Sequence, residues 1–582
     1  MLLLAASVLA RYAFHNPLIW SDELAVMVFL WLSMLGATLA LRRGEHLRLT
    51  TVASIVSPAQ RQVMEASAAV LSALFAFALV VYGTGYAADE ALVTSPGLNI
   101  SAAWRAAALP IGGALMTEAA VARIFLDGHR LPTLVAVAMI SCVAALVFWW
   151  AADVFPELEN WNLLLFFVGF VSVLLLLGLS IAVTFGLVTL LYLGLTTGTP
   201  LAVVIARMDG GMSNVILLSI PLFVLLGKMM EATGMAKALV GFLASLVGHV
   251  RGGLSYALLA AMYVVSGISG SKTADMAAVA PILFPEMRVR GIRGGEIVSL
   301  LAASAVMSET IPPSLVLIAM ATSVGVSIAA LFAAGLLPAL IAAFALCALV
   351  YVRSRGEAPA ASRPQIKVVA RGFLVAMPAL ILPFVIRAAV VEGVATATEV
   401  STVGIGYIVV TSFLQNRSFP WRQLAPMLID TAVLSGALLL ILGTANAMAW
   451  ALTQSGFSDQ LAQALTHMPG GQYGFLAMAI LVFIVFGSVL EGLPAIALFG
   501  PLLFPIARAE GIHDVHFAMV AILAMGLGLY MPPFGIGYYS ACAIGGVHPD
   551  EGMRLIWPYL GLLLCATIVI AAVPFLSTCF LP

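Results

Sequence analysis

Charged residues are scarce in this chain. Aspartate, glutamate, lysine and arginine make up 9% of its 582 residues, whereas hydrophobic residues make up 62% and the mean hydropathy is +1.10. A soluble globular protein has about 25% charged residues, so water cannot surround this chain on all sides. Because a membrane-spanning helix takes about 20 residues, the composition predicts a multi-pass membrane protein with roughly 16 to 20 membrane segments, some of them broken.

Several kinds of chemistry lack the residues that they need. The five cysteines occur singly in apolar runs without C-x-x-C spacing, so we interpret them as buried small hydrophobic residues. The eight histidines are scattered without a metal-ligand pattern. The sequence contains no G-x-x-x-x-G-K-[ST] phosphate-binding loop and no polar stretch large enough for a nucleotide-hydrolysing domain. The net charge of −1 gives no indication of a nucleic-acid partner.

Polar loops divide the chain into parts. Four apolar runs predict a four-helix unit at residues 1–130, and basic clusters at 42–48 and 123–130 predict cytoplasmic loops by the positive-inside rule. The first run, 1–10, is short for a span, so we expect either that the true start lies upstream or that this helix is truncated. Residues 131–161 predict a linker transmembrane helix and an acidic periplasmic loop, an arrangement typical of two fused polypeptides.

The rest of the chain contains a duplication at a shift of 220 residues. The motif P-I-L-F-P at 281–285 returns as P-L-L-F-P at 501–505. The other pairs at this shift are Gly267 and Gly487, Gly291-Ile292 and Gly511-Ile512, and Ile311-Pro312-Pro313 and Met531-Pro532-Pro533. Hydrophobic segments interrupted by glycine and proline at corresponding places in two halves indicate the binding site of a secondary transporter.

The duplication defines the predicted domains of this larger part. We expect a first repeat at 162–352, a cytoplasmic connector at 353–372 and a second repeat at 373–582. An odd number of spans between the repeats would invert one with respect to the other.

The first repeat places hydroxyl groups and a carboxylate in a short segment between two apolar stretches. Ser266 to Asp275 predicts a re-entrant helical hairpin whose turn exposes backbone carbonyls. Carbonyls, hydroxyls and a carboxylate are hard oxygen ligands that suit Na⁺, and helix N-termini at the turn favour an anion. A glycine-rich packing seam is the alternative, although ionisable residues inside a membrane indicate function by default.

The second repeat contains a sparser version of the same turn at 486–494, for which a packing seam remains open as the alternative. The two Pro-Pro pairs break apolar helices and free upstream carbonyls, unless they only kink the helices for packing. The predicted sodium ligands are Ser266, Gly267, Ser269, Ser271, Asp275, Pro312, Pro313, Gly487, Ser488, Glu491, Pro532 and Pro533.

A second set of residues is predicted to bind an anionic substrate. Lys272 and Thr273 lie in the first turn, and Ser314 follows the first Pro-Pro pair. Thr398 and Glu399 open a further apolar stretch, for which an ordinary helix-capping sequence is the alternative. Five other charged residues are expected at helix ends or interfaces: Lys228, Glu231, Glu309, Arg387 and Asp430.

These residues resemble the tripartite ATP-independent periplasmic (TRAP) transporters, in the form in which the small and large membrane subunits are fused. The large-subunit resemblance rests on 269–278, 285–287, 311–314 and Pro532-Pro533. The small-subunit resemblance rests on Arg11-Tyr12, 20–24, Gly36-Ala37, Arg42-Arg43 and His46. Lys272 and Glu309 depart from the family pattern because small residues are common at both positions, and Ala397 replaces a usual proline.

The resemblance implies an all-α polytopic membrane protein of the bacterial inner membrane. It implies an inverted-repeat, elevator-type transporter with two re-entrant hairpins, in which a mobile domain moves against a scaffold that the small part extends. It further implies coupling to Na⁺, no use of ATP, membrane lipid around the chain, and a periplasmic binding protein that delivers a carboxylate or related organic-acid anion. We expect the fused chain to act as a monomer.

Two other classes fit parts of the sequence. A binding-protein-independent sodium/dicarboxylate or ion symporter of another inverted-repeat family would share the duplication, but it would not need the fused four-span unit. A membrane-embedded enzyme would need a convergent acid/base or metal set. No carboxylate shares a helical face with the histidines at 249, 467, 513, 516 and 548.

Overall fold

Apolar α-helices form most of the chain. The structure, a computed structural model, describes residues 1–49, 56–126, 131–150, 154–155, 158, 161–356, 365–466, 469–490 and 492–581. Within these ranges there is no β-strand, and ten helices are long and apolar enough to span a membrane, accompanied by eight shorter apolar helices. A helix satisfies its own backbone hydrogen bonds, which lipid cannot do. The predicted all-α, multi-pass fold is confirmed.

The first 130 residues are called the small unit below, and the described part of this unit contains helices that pack on each other and on the remainder of the chain. They are Leu2–Tyr12, Ile19–Arg43, Pro58–Glu90, Ala103–Ala106 and Ala108–Leu126. The linker helix follows at Leu131–Trp150.

The large unit, residues 161–582, contains the duplication. Its first half consists of Trp161–Leu163, a π-helix Leu164–Phe170, Val171–Leu176, Ile181–Thr196, Ala202–Met212, a 3₁₀ turn Val215–Leu218, Ser219–Ala232, Met235–Val247, Gly253–Ser269, Lys272–Val289, Gly294–Met307, a 3₁₀ turn Ser308–Thr310, Leu315–Val324, Ile328–Ala334, Leu336–Arg353 and a 3₁₀ turn Ser354–Gly356. Its second half consists of Ile366–Val391, Ala397–Asn416, Trp421–Gln454, Phe457–Thr466, Gly471–Leu490, Gly492–Ala509, Asp514–Leu529, Ile536–Gly545, Pro549–Met553, Trp557–Ala572 and Phe575–Thr578.

The sequence duplication is also a duplication of helices. Lys272–Val289 and Gly492–Ala509 begin and end at the same 220-residue shift, and Gly294–Met307 and Asp514–Leu529 begin at it. Gly291 and Gly511, which lie between these helices, have φ values of +80° and +75°. Only glycine adopts such angles readily. The same local backbone is therefore built twice.

Each repeat contains a helical hairpin followed by a broken helix. Hairpin 1 consists of Gly253–Ser269 and Lys272–Val289, and hairpin 2 consists of Gly471–Leu490 and Gly492–Ala509. Broken helix 1 consists of Gly294–Met307 and Leu315–Val324, and broken helix 2 consists of Asp514–Leu529 and Ile536–Gly545. The first break bends the chain by 41°. Both breaks contain a cis peptide bond between the two prolines.

The small unit is fixed to the large unit by close packing and by ion pairs. Its helix Ile19–Arg43 lies along the continuous helix Trp421–Gln454, and a Cβ atom built on Gly36 would stand only 2.1 Å from the carbonyl oxygen of Ala432. Arg43 pairs with Asp430 at 3.0 Å. The small unit therefore extends the framework around Trp421–Gln454.

A buried network also joins the two units. Asp209 of the large unit is 1% exposed, pairs with Arg105 at 3.0 Å and accepts a hydrogen bond from the Tyr86 hydroxyl at 2.6 Å.

The interpretation of the cysteines was largely wrong, because Cys542 alone is buried whereas Cys142 and Cys565 are exposed. In a membrane protein an apolar residue on an outer helix face contacts lipid as readily as it contacts the core.

Candidate functional site

The turn of hairpin 1 packs against the break of broken helix 1. The hairpin reverses at Gly270, which has a φ of +63°. A Cβ atom on Gly267 would stand 3.4 Å from the Pro312 carbonyl oxygen, and one on Gly270 would stand 3.2 Å from Cγ of Leu315. These glycines allow backbone to approach backbone where both chains leave helical geometry. The first turn and the first Pro-Pro break, predicted separately, thus lie together.

Two predicted sodium ligands form a buried pair in this turn. The Ser266 hydroxyl donates to Oδ2 of Asp275 at 2.7 Å, and both residues are 1% exposed. Asp275 lies in the first turn of Lys272–Val289, where the positive end of the helix dipole favours a carboxylate. Its backbone N–H donates to the Ser271 carbonyl at 2.9 Å. The side chain of Ser269 lies outside the described residues.

Lys272 forms an ion pair with Glu309 immediately beside this pair. The Lys272 side chain is 15% exposed and the Glu309 side chain 2% exposed. Beyond the lysine ammonium, neither carboxylate oxygen of Glu309 has a hydrogen-bond partner among the described residues. Glu309 does lie at a helix end, in the 3₁₀ turn Ser308–Thr310, as expected. Its burial and its lysine partner were not predicted.

The Lys272–Glu309 pair is also where the two hairpin turns meet. A Cβ atom on Gly492, the first residue after the turn of hairpin 2, would stand 2.9 Å from Oε1 of Glu309 and 3.4 Å from Nζ of Lys272. A Cβ atom on Gly526 would stand 3.3 Å from Oε2 of Glu309. Lys272 and Gly492 occupy equivalent places at the 220-residue shift. Equivalent positions of the two repeats therefore face each other across one charged pair.

The second turn is less polar, as its sequence indicates. The Ser488 hydroxyl donates to the Val485 carbonyl of its own helix at 2.7 Å, and a Cβ atom on Gly487 would stand 2.5 Å from the Met525 carbonyl oxygen. Pro532 is buried, whereas Pro533 is exposed and its carbonyl accepts from Tyr539 at 2.8 Å. Glu491 lies outside the described residues. Close packing, which the sequence left open as an alternative, accounts for Gly487.

The predicted substrate ligands do not all lie together. Thr273 is exposed beside Lys272. Ser314 is 3% exposed and caps the second half of broken helix 1, with Oγ accepting from the Val316 N–H at 3.2 Å. These two residues and Lys272 flank the turn of hairpin 1 and the break beside it.

Thr398 and Glu399 lie elsewhere. The Glu399 carboxylate pairs with Arg11 at 2.7 Å and accepts the Thr396 N–H at 2.8 Å, which completes a capping box. The Thr398 carbonyl accepts the Thr402 hydroxyl at 2.8 Å. Both residues line a cavity of about 610 Å³ together with the first helix of the small unit. The structure thus favours the helix-capping alternative for this motif and adds contact between the units to it.

Two hairpin turns that meet beside helix breaks, in a duplicated helical membrane fold, are the features of a secondary transporter. Comparison with known families agrees. Residues 168–576 match the family described as "Tripartite ATP-independent periplasmic transporter, DctM component", and residues 1–130 match the corresponding DctQ component. The chain therefore belongs to the TRAP transporter family and carries both membrane components. It is a multi-pass protein of the inner membrane.

Individual relatives match either the whole chain or its larger part. The sialic acid TRAP transporter permease protein SiaT of Haemophilus influenzae is 24% identical over 595 residues, covering 100% of this chain and 96% of that protein. "Uncharacterized protein YgiK" of Salmonella typhimurium is 31% identical over a match that covers 71% of this chain and 94% of YgiK. The C4-dicarboxylate TRAP transporter large permease protein DctM of Pseudomonas aeruginosa is 28% identical, covering 62% and 85%. These relatives are described as permeases or left without an activity, and none as an enzyme.

Proposed function

We propose that this chain takes up an organic-acid anion together with Na⁺, and that a periplasmic binding protein delivers the anion. The observation that carries the proposal is the meeting of both hairpin turns at a small cluster of charged and hydroxyl side chains. Family membership supports the binding protein and the class of substrate.

The oxygen atoms of hairpin 1 support the sodium part of the proposal. Ser266 and Asp275 present a hydroxyl and a carboxylate in a buried place, and Pro312 places a carbonyl next to Gly267. Hard oxygen ligands of this kind suit a small hard cation. A cation beside a buried carboxylate offsets part of the cost of burying it, so Na⁺ would stabilise the packed turn.

Lys272 and the helix that it opens support the anion part. Lys272 is the first residue of Lys272–Val289, where backbone N–H groups and the helix dipole favour negative charge. An ammonium group has three N–H donors, so the ion pair with Glu309 leaves donors for a substrate carboxylate. Sialic acid and C4-dicarboxylates, the substrates named for the relatives, carry carboxylates. An anion and Na⁺ bound side by side would favour each other by a reciprocal coupling free energy.

An apolar cavity supports an elevator movement. About 360 Å³ of space separates the segment 163–176 from the turn of hairpin 2, and its walls include Phe167, Val171, Phe486 and Val489. Surfaces of this kind make no directional bonds, so one can slide past the other at low cost. We propose that the hairpins and broken helices move, and that Trp421–Gln454 and the small unit stay fixed.

Uptake into proteoliposomes tests the proposal. The purified chain is reconstituted and supplied with labelled sialic acid or a labelled C4-dicarboxylate, with and without a periplasmic binding protein for that anion. We expect uptake that requires both the binding protein and external Na⁺. Uptake that is unchanged when choline replaces Na⁺ would exclude sodium coupling, and equal uptake without the binding protein would favour a self-sufficient symporter.

A further inference from the structure

The Lys272–Glu309 pair is not required by the fold. At the 220-residue shift, Lys272 corresponds to Gly492 and Glu309 corresponds to Leu529. The second repeat builds the same helices with a small and an apolar residue at these places. A buried ion pair seldom adds stability over well-packed apolar residues. The pair therefore has a role other than holding the helices together.

The environment of Glu309 resembles a cation site whose cation belongs to the protein. Its carboxylate is almost completely buried, and Lys272 is its charge partner. Oε2 lies near Gly526, where a Cβ atom would also stand 3.0 Å from the Val306 carbonyl oxygen. Two oxygens thus face the same small space, and neither Glu309 oxygen has a hydrogen-bond donor beyond Lys272 among the described residues. A carboxylate in such a place stays ionised only beside a positive charge.

We infer that Lys272 is a tethered cation that occupies a latent Na⁺ site formed by Glu309. The lysine ammonium supplies, from within the chain, the positive charge that a Na⁺ ion would otherwise bring to the meeting point of the two hairpin turns. The carrier consequently needs one fewer coupling ion than its oxygen ligands could hold. This inference rests on the site assigned under the proposed function, but ion binding alone tests it.

Removing the lysine charge should expose the latent site. In Lys272→Met, Glu309 keeps its place and loses its partner, so Na⁺ should bind there. In the double variant Lys272→Met/Glu309→Gln the carboxylate is gone as well, so the additional ion should be lost. Lys272→Arg keeps a cation in the site and serves as the matched control.

Equilibrium binding of ²²Na⁺ to the purified full chain measures the number of ions without any substrate. We expect Lys272→Met to bind one Na⁺ more per chain than the wild type, and we expect Lys272→Arg and the double variant to bind the wild-type number. An unchanged number in Lys272→Met would overturn the inference, including the case in which Glu309 takes a proton instead. If sodium coupling itself were wrong, the wild type would bind no Na⁺ while Lys272→Met would still bind one.

Thermal unfolding keeps the test informative if Lys272→Met is unstable. Sodium chloride should then raise its unfolding temperature more than an equal concentration of choline chloride does, and the wild type should show a smaller difference. Lys272→Gln, which retains a hydrogen-bond donor near Glu309, should behave like Lys272→Met. If neither variant folds in sodium chloride, Na⁺ cannot replace the ammonium and the inference fails.

Discussion

Replacing Gly36 by alanine is expected to weaken the attachment of the small unit to the large unit. The new Cβ atom would stand 2.1 Å from the Ala432 carbonyl oxygen and 3.2 Å from Cα of Gly436. All of these neighbours are backbone atoms of the helix Trp421–Gln454, so no side chain can rotate away. The two helices would have to separate.

The magnitude follows from how helices associate in a membrane. Lipid is as apolar as the helix surfaces, so close packing between small residues supplies much of the association energy. A separation of about 1 Å loses roughly a quarter to a half of the dispersion energy of each contact. Overpacking of this kind costs about 1–3 kcal/mol, which corresponds to roughly a 5- to 150-fold change in the docking equilibrium.

Thermal unfolding and hydrogen exchange of the purified protein measure this effect. Gly36→Ala should lower the unfolding temperature and increase exchange in Ile19–Arg43. Gly85→Ala is the matched control in the same unit, because a Cβ atom on Gly85 has no neighbour within 4 Å, and it should leave both quantities unchanged or slightly improved. If Gly36→Ala behaved like this control, the two helices would not approach as closely as the structure shows.

Three further changes test individual residues of the site. Asp275→Asn should lower the sodium affinity of uptake about tenfold or more without unfolding the chain, because the substitution removes one negative charge from a group of buried oxygen ligands. A normal sodium titration would show that Asp275 is not part of the site. Glu399→Gln retains the capping interaction but loses the ion pair with Arg11, so it should lower the free energy of unfolding by less than about 1 kcal/mol. The substrate concentration for half-maximal uptake should stay unchanged. A rise in that concentration at unchanged stability would show that Glu399 belongs to the substrate site. Gly492→Ala places a methyl group 2.9 Å from Oε1 of Glu309 and should slow uptake severalfold. The control is Gly406→Ala, because a Cβ atom on Gly406 has no neighbour within 4 Å. Equal uptake rates in the two variants would show that the hairpin turns are not in close contact.

Local backbone chemistry explains why the duplicated part could be predicted well. The Pro-Pro pairs at 312–313 and 532–533 and the turn at Gly270 act through their own conformational limits, so their effects do not depend on the rest of the fold. The hairpins and broken helices accordingly begin and end where these residues indicate. Sequence motifs also identified the fused family, because the distinctive residues occur in the same order along the whole chain.

Contacts between distant segments explain what could not be predicted. The Thr396–Glu399 motif looks alike whether it caps a helix or lines a substrate site, and only the position of Arg11 shows that it joins the two units. Gly36 was part of a family motif, but its contact with Ala432 depends on how two helices cross.

The sequence by itself determined the membrane location, the two repeats and the two polar turns, because hydropathy, glycine and proline act on the nearby backbone. Only the tertiary structure decided that Lys272 and Glu309, two departures from the family pattern that lie 37 residues apart, neutralise each other at the meeting point of both hairpins. A buried charge must find a partner in space, and that partner is chosen by the packing of helices and not by distance along the chain.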